Sequence, residues 1–157
     1  MWSRHALSAV VLLAPLVGGA VGGRTAPSPE RQGDSMRVEL VVPPKVGIGR
    51  PVPIALRIRN TQERPINLYL QGRPVAFDLI IEQAGGAEVW RRLQGAAVSA
   101  ILGVRTLAPG EVFELKETWK QTTQAGRPAG PGAYRVTGLV LTDGEPLRAG
   151  PVPFRIE

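Results

Sequence analysis

The chain has 157 residues, which suits one domain, and its 15 prolines, 19 glycines and 20% charged residues favour turns and short strands over long helices. The formal charge of +6 comes from sixteen scattered arginines and three lysines, and aromatic residues form only 5% of the chain, so we expect no nucleic-acid partner. There is no cysteine, and the one histidine, His5, lies in a segment that we expect to be removed. The mature chain then lacks the usual nucleophile, base and zinc ligands, and we expect no enzyme, metal site or cofactor.

Residues 1–23 have the pattern of a signal peptide. Arg4 supplies a positive charge, Ala6 to Val17 form an apolar core of twelve residues, and Gly18-Gly19-Ala20 offers the small residues of a cleavage site. The apolar run is shorter than the ~20 residues of a membrane span. We therefore expect an exported protein, periplasmic or extracellular, with no membrane contact once the signal peptide is removed. The alternative is an uncleaved signal anchor.

Residues 24–35 carry no large apolar side chain. They cannot bury enough surface to offset the entropy lost on ordering, so they are predicted to form a disordered linker. From residue 36 to residue 157 apolar side chains recur at every second position, which is typical of half-buried strands. We expect this part of the chain to form one β-sandwich domain.

The predicted strands follow one another in short runs of alternating polarity. Pro43-Pro44 ends the first run, because proline cannot donate to a ladder, and Gly85-Gly86 is predicted to be a hairpin turn. The runs are Met36 to Val42, Val52 to Ile58, Ile66 to Leu70, Val75 to Ile81, Glu88 to Trp90, Glu111 to Gln121, Tyr134 to Val140 and Val152 to Ile156. About eight or nine short strands without an amphipathic helix predict an all-β, antiparallel, immunoglobulin-like sandwich.

The segment Leu93 to Val104 is ambiguous, because its apolar run is too short for periodicity to distinguish a strand from a short helix. Gly95 and Gly103 bracket the run. We therefore favour a strand or an extended loop. On the strand that follows, Phe113 and Trp119 are expected to face inward, into the core of the sandwich.

Six short motifs follow one another between residues 65 and 134. They are Pro65-Ile66-Asn67-Leu68, Phe77-Asp78-Leu79, Val89-Trp90-Arg91, Leu107-Ala108-Pro109-Gly110-Glu111, Trp119-Lys120-Gln121 and Pro131-Gly132-Ala133-Tyr134. This order resembles the BsuPI family, the intracellular proteinase inhibitor domain. The chain departs from that pattern at Arg92, where the family has a second tryptophan, and at Val98-Ser99-Ala100, where a Phe-Thr-Gln is expected.

The resemblance implies an immunoglobulin-like sandwich that binds protein, with a protease as the implied partner. The motif residues are expected to be structural, because none of the motifs reads as a reactive loop; they are Asp78, Trp90, Pro109, Gly110, Trp119, Gln121, Gly132 and Tyr134. A large aromatic in a small sandwich belongs to the core more often than to a binding surface. Tyr134 also has the placement of a tyrosine corner.

A binding site is expected on loops held by the sandwich. Three loops are candidates: Pro43–Pro53, Gln121–Pro131 and Asp143–Pro151. We favour the second, in which Gly126, Arg127 and Pro128 combine stiff backbone with an exposed cation of a type enriched at interfaces. The sequence thus predicts a monomeric proteinase inhibitor that acts through a surface loop. The alternative is a non-inhibitory structural or adhesive module of the cell envelope.

Paired carboxylates are the one catalytic option that the composition leaves open. Asp78 with Glu82 and Glu114 with Glu117 are the pairs available. Carboxylates spaced along strands usually form an ordinary solvated face. We therefore expect these four residues to be structural.

Overall fold

A computed structural model describes residues 35–157 of the chain. The predicted signal peptide, and the predicted linker up to residue 34, lie outside the described residues. Ser35, the last residue of that linker, is buried, and its carbonyl oxygen accepts a hydrogen bond from the Thr61 amide at 3.3 Å. The described part of the chain therefore starts inside the packed domain.

Ten strands and no helix form within residues 35–157, which confirms the all-β prediction. They are β1 (Met36–Val41), β2 (Lys45–Val46), β3 (Val52–Asn60), β4 (Ile66–Gln71), β5 (Phe77–Gln83), β6 (Glu88–Arg91), β7 (Leu102–Leu107), β8 (Val112–Trp119), β9 (Gly132–Val140) and β10 (Leu147–Ile156). Two of them, β2 and β7, were absent from the predicted runs. The first has two residues, too few for alternation, and the second lies at the end of the ambiguous segment.

The strands form three sheets. A sheet of three has the order β1-β3-β8, a sheet of five has the order β2-β10-β9-β5-β6, and β4 pairs with β7 in a two-stranded ribbon. All pairs are antiparallel except β2 with β10. The parallel pair joins strands that are far apart in sequence, so no local sequence pattern predicts this pairing.

The two larger sheets pack face to face around the apolar side chains of alternate positions. On β3 the side chains of Val52, Ile54, Leu56 and Ile58 are buried, whereas Arg57 and Arg59 between them are exposed. Across the core, a β-carbon on Gly138 of β9 would lie 2.9 Å from Cδ1 of Leu56. The sheets approach so closely there that only glycine fits.

The ambiguous segment contains no helix. Residues 96–101 have no regular secondary structure and lead directly into β7, so the preference for an extended loop or strand is confirmed.

On strand β8, only one of the two aromatic residues that were expected to face inward is fully buried. Trp119 is buried as predicted, but Phe113 is only half-buried, with the Arg105 guanidinium carbon 4.3 Å from its ring centroid. Phe113 therefore lies at the open side of the sandwich rather than at its centre.

Candidate functional site

Asp78 fixes the turn that follows β6. Its buried carboxylate accepts hydrogen bonds from Arg91 Nε at 2.6 Å and from the Leu93 amide at 3.0 Å. The hydrogen bond and the negative charge of Asp78 raise the pKa of the Arg91 guanidinium above its ordinary value. The Asp78 carboxylate is thus fully occupied by hydrogen bonds to its partners, and the role of the residue is structural.

Arg92 stands where the BsuPI pattern has a second tryptophan, and its contacts explain the exchange. Its guanidinium carbon lies 3.9 Å from the ring centroid of Phe77, and Nη1 donates to the Phe77 carbonyl at 2.8 Å. Nε donates to Glu117 at 2.8 Å. A planar guanidinium stacks on an aromatic face, so Arg92 packs against the ring of Phe77 at this position.

The two remaining aromatic motif residues on β8 and β9 form one buried cluster with Phe154 of β10. The Trp119 ring centroid lies 5.9 Å from that of Tyr134, and the Tyr134 and Phe154 centroids are 5.7 Å apart. Trp119 Nε1 donates to the Thr122 carbonyl at 2.9 Å, and the Tyr134 hydroxyl donates to the Gly130 carbonyl at 2.7 Å. The second bond is that of a tyrosine corner. Only 1% of Trp119 is exposed, so it offers no binding surface.

Four other motif residues serve as supports. Trp90 is half-buried against the core on strand β6, at the edge of the five-stranded sheet. Pro109 and Gly110 form the turn from β7 to β8, where the Gly110 amide donates to the Asn60 carbonyl at 3.1 Å with a φ of +73° that suits glycine. Gly132 begins β9 with a φ of +149°. Each of these residues supports a backbone turn or packs against the core, and none presents a reactive group at the surface.

Gln121 joins two of the three candidate loops. Its side chain is buried although it follows the end of β8, and Nε2 donates to the carbonyls of Gly47 at 2.9 Å and Arg50 at 2.7 Å. Its Oε1 accepts from the Gly49 amide at 2.8 Å. A backbone φ of +54°, uncommon for a residue with a side chain, directs the amide toward that turn. The loop Pro43–Pro53 is therefore joined to the base of the loop Gln121–Pro131.

The loop Gln121–Pro131 is a small hairpin rather than an irregular segment. The Thr123 amide donates to the Arg127 carbonyl at 2.7 Å, and the Gly126 amide donates to the Thr123 carbonyl at 2.9 Å. Gln124 fastens the hairpin to β6, because its amide donates to the Val89 carbonyl at 2.9 Å. Residues 124–128 at the tip are exposed. The predicted contact residues thus lie on an ordered, outward-pointing turn.

The turn at residues 47–50 exposes an apolar side chain that the sequence analysis did not single out. The Arg50 amide donates to the Gly47 carbonyl at 3.1 Å, which closes the turn, and the Ile48 amide donates to the Glu157 carbonyl at 3.1 Å. Ile48 at its tip is 60% exposed. An isoleucine between two glycines, outside any alternating run, was the available sequence signal.

The third candidate loop lies elsewhere. The Asp143 amide donates to the Tyr69 carbonyl at 3.2 Å, and Gln71 Nε2 donates to the Thr142 carbonyl at 2.7 Å, so the segment is fixed to β4. None of the hydrogen bonds described for residues 35–157 joins it to the other two loops. The structure therefore brings together two of the three loops and leaves the third apart.

The carboxylates considered for catalysis are separated and individually paired. Glu82 accepts from Arg135 Nε at 2.9 Å, and Glu114 accepts from Lys116 Nζ and Arg57 Nε, both at 2.8 Å. The hydrogen bond from Lys116, followed by that from Arg57, lowers the pKa of Glu114 below its ordinary value. Glu114 and Glu117 are three residues apart on one strand, so they lie on opposite faces. Asp78 and Glu117 are likewise paired, with Arg91 and Arg92, so each of the four carboxylates is engaged by a cation, as the structural role expected for them implies.

Residues 35–157 contain no group of His, Asp or Glu side chains arranged to hold a metal ion. No helix between those residues is long and apolar enough to cross a membrane.

The sequence profile of the BsuPI family, described as an intracellular proteinase inhibitor, matches residues 45–145. The match covers well over half of the chain and includes every motif quoted above. The chain belongs to this family. No curated protein sequence matches it significantly.

Several solved structures match this chain at low sequence identity. A DNA glycosylase, AlkC of Pseudomonas fluorescens, shares 19% identity with a TM-score of 0.42 over 78% of this chain and 30% of its own. A β-glucosidase of Listeria innocua shares 10% identity with a TM-score of 0.41 over 77% of this chain and 16% of its own. A CARDB domain from Pyrococcus furiosus shares 15% identity with a TM-score of 0.40, over 78% of this chain and 87% of its own. The chain thus spans under a third of the first two.

The predicted export is wrong. The family to which the chain belongs is described as intracellular, which points to the cytoplasm rather than to the periplasm or the extracellular space. The prediction relied on one positive charge, an apolar run and small residues near the N-terminus. Residues 1–23, which carry those features, lie outside the described part of the chain.

Proposed function

We propose that the chain inhibits an intracellular proteinase through one composite surface, defined as the turn at residues 47–50 together with the hairpin tip at residues 124–128. Membership of the BsuPI family supports the inhibitory role. The observation that supports this surface is the Gln121 side chain, whose three hydrogen bonds hold the turn against the base of the hairpin. The unit that carries the activity is the sandwich of residues 36–157.

Rigidity is the first property that suits this surface to inhibition. A loop that binds an enzyme cleft loses less entropy if it is already ordered before binding. The turn is closed by the bond between Arg50 and Gly47, and the hairpin by the two bonds of Thr123. Both tips are therefore fixed by the fold and need no partner to order them.

The chemistry of the tips is the second property. Ile48 offers an exposed apolar side chain, and Arg127 offers a guanidinium with no ion pair within residues 35–157. Arg50, in the same turn as Ile48, and Lys120, directly before Gln121, are likewise exposed and form no ion pair in that part of the chain. Unpaired cations speed encounter with an acidic surface. The proposed partner is thus a proteinase with an acidic rim around its cleft, bound by one monomer of the inhibitor.

Titration of the purified chain against a panel of intracellular proteinases, with subtilisin-like serine proteinases included, tests this proposal. We expect reversible inhibition of at least one of them, with the inhibitor recovered uncleaved. Ile48→Asp should weaken inhibition at least tenfold, whereas Arg148→Ala, an exposed arginine on β10, should leave it unchanged. Failure of the wild type to inhibit any proteinase would contradict the proposal and favour a non-inhibitory structural module.

A further inference from the structure

Strand β7 has a free edge in the part of the chain that the structure describes. Among the strands of residues 35–157 it pairs only with β4, on one side. The Gly72 amide donates to the Ile101 carbonyl at 2.8 Å, and the register continues with Leu70 opposite Gly103. In an antiparallel pair alternate residues bond to the partner, so the backbone groups of the residues between them point the other way. The amides and carbonyls of Leu102, Val104 and Thr106 are thus directed away from β4.

The side chains on one face of this edge do not protect it. Soluble proteins usually shield free edges with charges, prolines or bulges. On β7 the outward face instead carries Leu102, 47% exposed, and Val104, 62% exposed, and the latter is paired across the ribbon with the partly exposed Tyr69. An edge of this kind is a ready template for another strand.

A groove lies beside β7 on its other face. It has a volume of about 470 Å³, and its walls include the side chains of Val75 and Phe113 and the cations of Arg73 and Arg105. Arg105 has one distant acidic contact, to Glu111 at 3.5 Å. Arg73 is exposed and forms no ion pair within residues 35–157. The groove is therefore lined by apolar side chains together with two cations.

We propose that the β7 edge binds an extended peptide segment in which apolar and acidic residues alternate. Alternation follows from strand geometry, because successive side chains of the added strand point to opposite faces. Its apolar side chains would extend the face of Leu102 and Val104, and its carboxylates would reach Arg73 and Arg105. Backbone hydrogen bonds to the added strand would supply binding affinity, and its ion pairs with the two arginines would supply specificity for acidic peptides.

Charge argues against a second copy of this chain as the occupant. Edge pairing of two copies would bring a second Arg73 and Arg105 close to the first pair, and each chain carries a formal charge of +6. Like charges across a strand pair destabilise it. The acidic segment is thus the occupant that the edge and the groove both fit.

This site is distinct from the proposed inhibitory surface. The turn at residues 47–50 leads into β3 at Val52, whereas Asn60 at the far end of β3 donates from Nδ2 to the Leu107 carbonyl of β7 at 3.0 Å. Eight steps of ~3.3 Å along β3 separate those ends by roughly 26 Å. The two surfaces can be occupied together.

A six-residue blocked peptide of alternating valine and glutamate, as long as β7, is the probe. Its affinity is measured by calorimetry, and amide exchange is followed by NMR. We expect the amides of Leu102, Val104 and Thr106 to become protected, and a matched peptide with lysine for glutamate to bind at least tenfold more weakly. Equal binding of the two peptides, or protection at other amides, would overturn the proposal, as would protection that accompanies dimerisation.

Two variants separate backbone pairing from charge. Val104→Pro removes one outward amide, a change that an edge strand tolerates. It should weaken binding of the glutamate peptide at least tenfold. Arg105→Glu should reverse the preference so that the lysine peptide binds better, and Arg148→Glu on β10 is the matched control for net charge. If Arg105→Glu and Arg148→Glu have the same effect, the groove is not the site and the proposal fails. Retained binding by a folded Val104→Pro chain would equally contradict it.

Discussion

The buried motif residues and the exposed tips that they support differ in what the sequence reveals about them. Trp119, Gln121 and Tyr134 belong to recognisable motifs and are buried, with their polar atoms bonded to neighbouring backbone. Ile48 and Arg127 belong to no motif and point into solvent. These motif residues thus belong to the scaffold, and the proposed contacts with a proteinase lie on turns outside the motifs. A change in a motif should act on stability, and a change in a tip should act on binding.

Trp119→Ala should have the largest effect on stability. Removal of a fully buried tryptophan costs about 3–5 kcal/mol through lost burial and the cavity that remains. That is a large share of the roughly 5–15 kcal/mol that stabilises a small domain. Urea unfolding measures the change, and Ile48→Ala is the control, with an expected change within about 0.5 kcal/mol. Similar costs for the two variants would remove the distinction between scaffold and tip.

Gln121→Ala should have an intermediate effect on stability. It should affect both the buried scaffold and the exposed turn at residues 47–50. Three hydrogen bonds to the turn at residues 47–50 are lost, and alanine must keep a φ of +54°. We expect a loss of about 1–3 kcal/mol in the free energy of unfolding. Faster exchange of the Gly49 amide than in the wild type is the specific readout. An unchanged exchange rate would show that other contacts hold the turn.

Tyr134→Phe should have the smallest effect on stability. It removes the hydroxyl bond to the Gly130 carbonyl and keeps the ring in its cluster, so the expected cost is about 0.5–1.5 kcal/mol. Urea unfolding checks the value. A cost as large as that of Trp119→Ala would mean that the hairpin base, rather than the aromatic cluster, dominates the stability of this end of the sandwich.

Local patterns predicted the regular strands well. The alternation of Val52, Ile54, Leu56 and Ile58 is enough to define β3, because one face of that strand is buried and the other is solvated. Strand β2 has no such pattern, since its two residues are held by a parallel partner at the other end of the chain.

The candidate site was predicted only in part. Gly126, Arg127 and Pro128 could be nominated from turn composition, and they do lie on an exposed hairpin. The contribution of Ile48 depends on bonds from Gln121 to residues more than seventy positions away in the sequence. Hydrogen bonds between residues so far apart in sequence depend on the whole fold, so a local sequence pattern cannot predict them.

Replacement of Gly126-Arg127-Pro128 by Gly-Ser-Gly tests whether the hairpin tip contacts the proteinase. We expect the inhibition constant against a susceptible proteinase to rise at least tenfold, or ~1.4 kcal/mol, because a cationic anchor and backbone stiffness are lost together. The free energy of unfolding should fall by no more than about 1 kcal/mol, the usual cost of exchanging a proline for glycine. Unaltered inhibition by a variant that remains folded would contradict the claim that this hairpin contacts the proteinase.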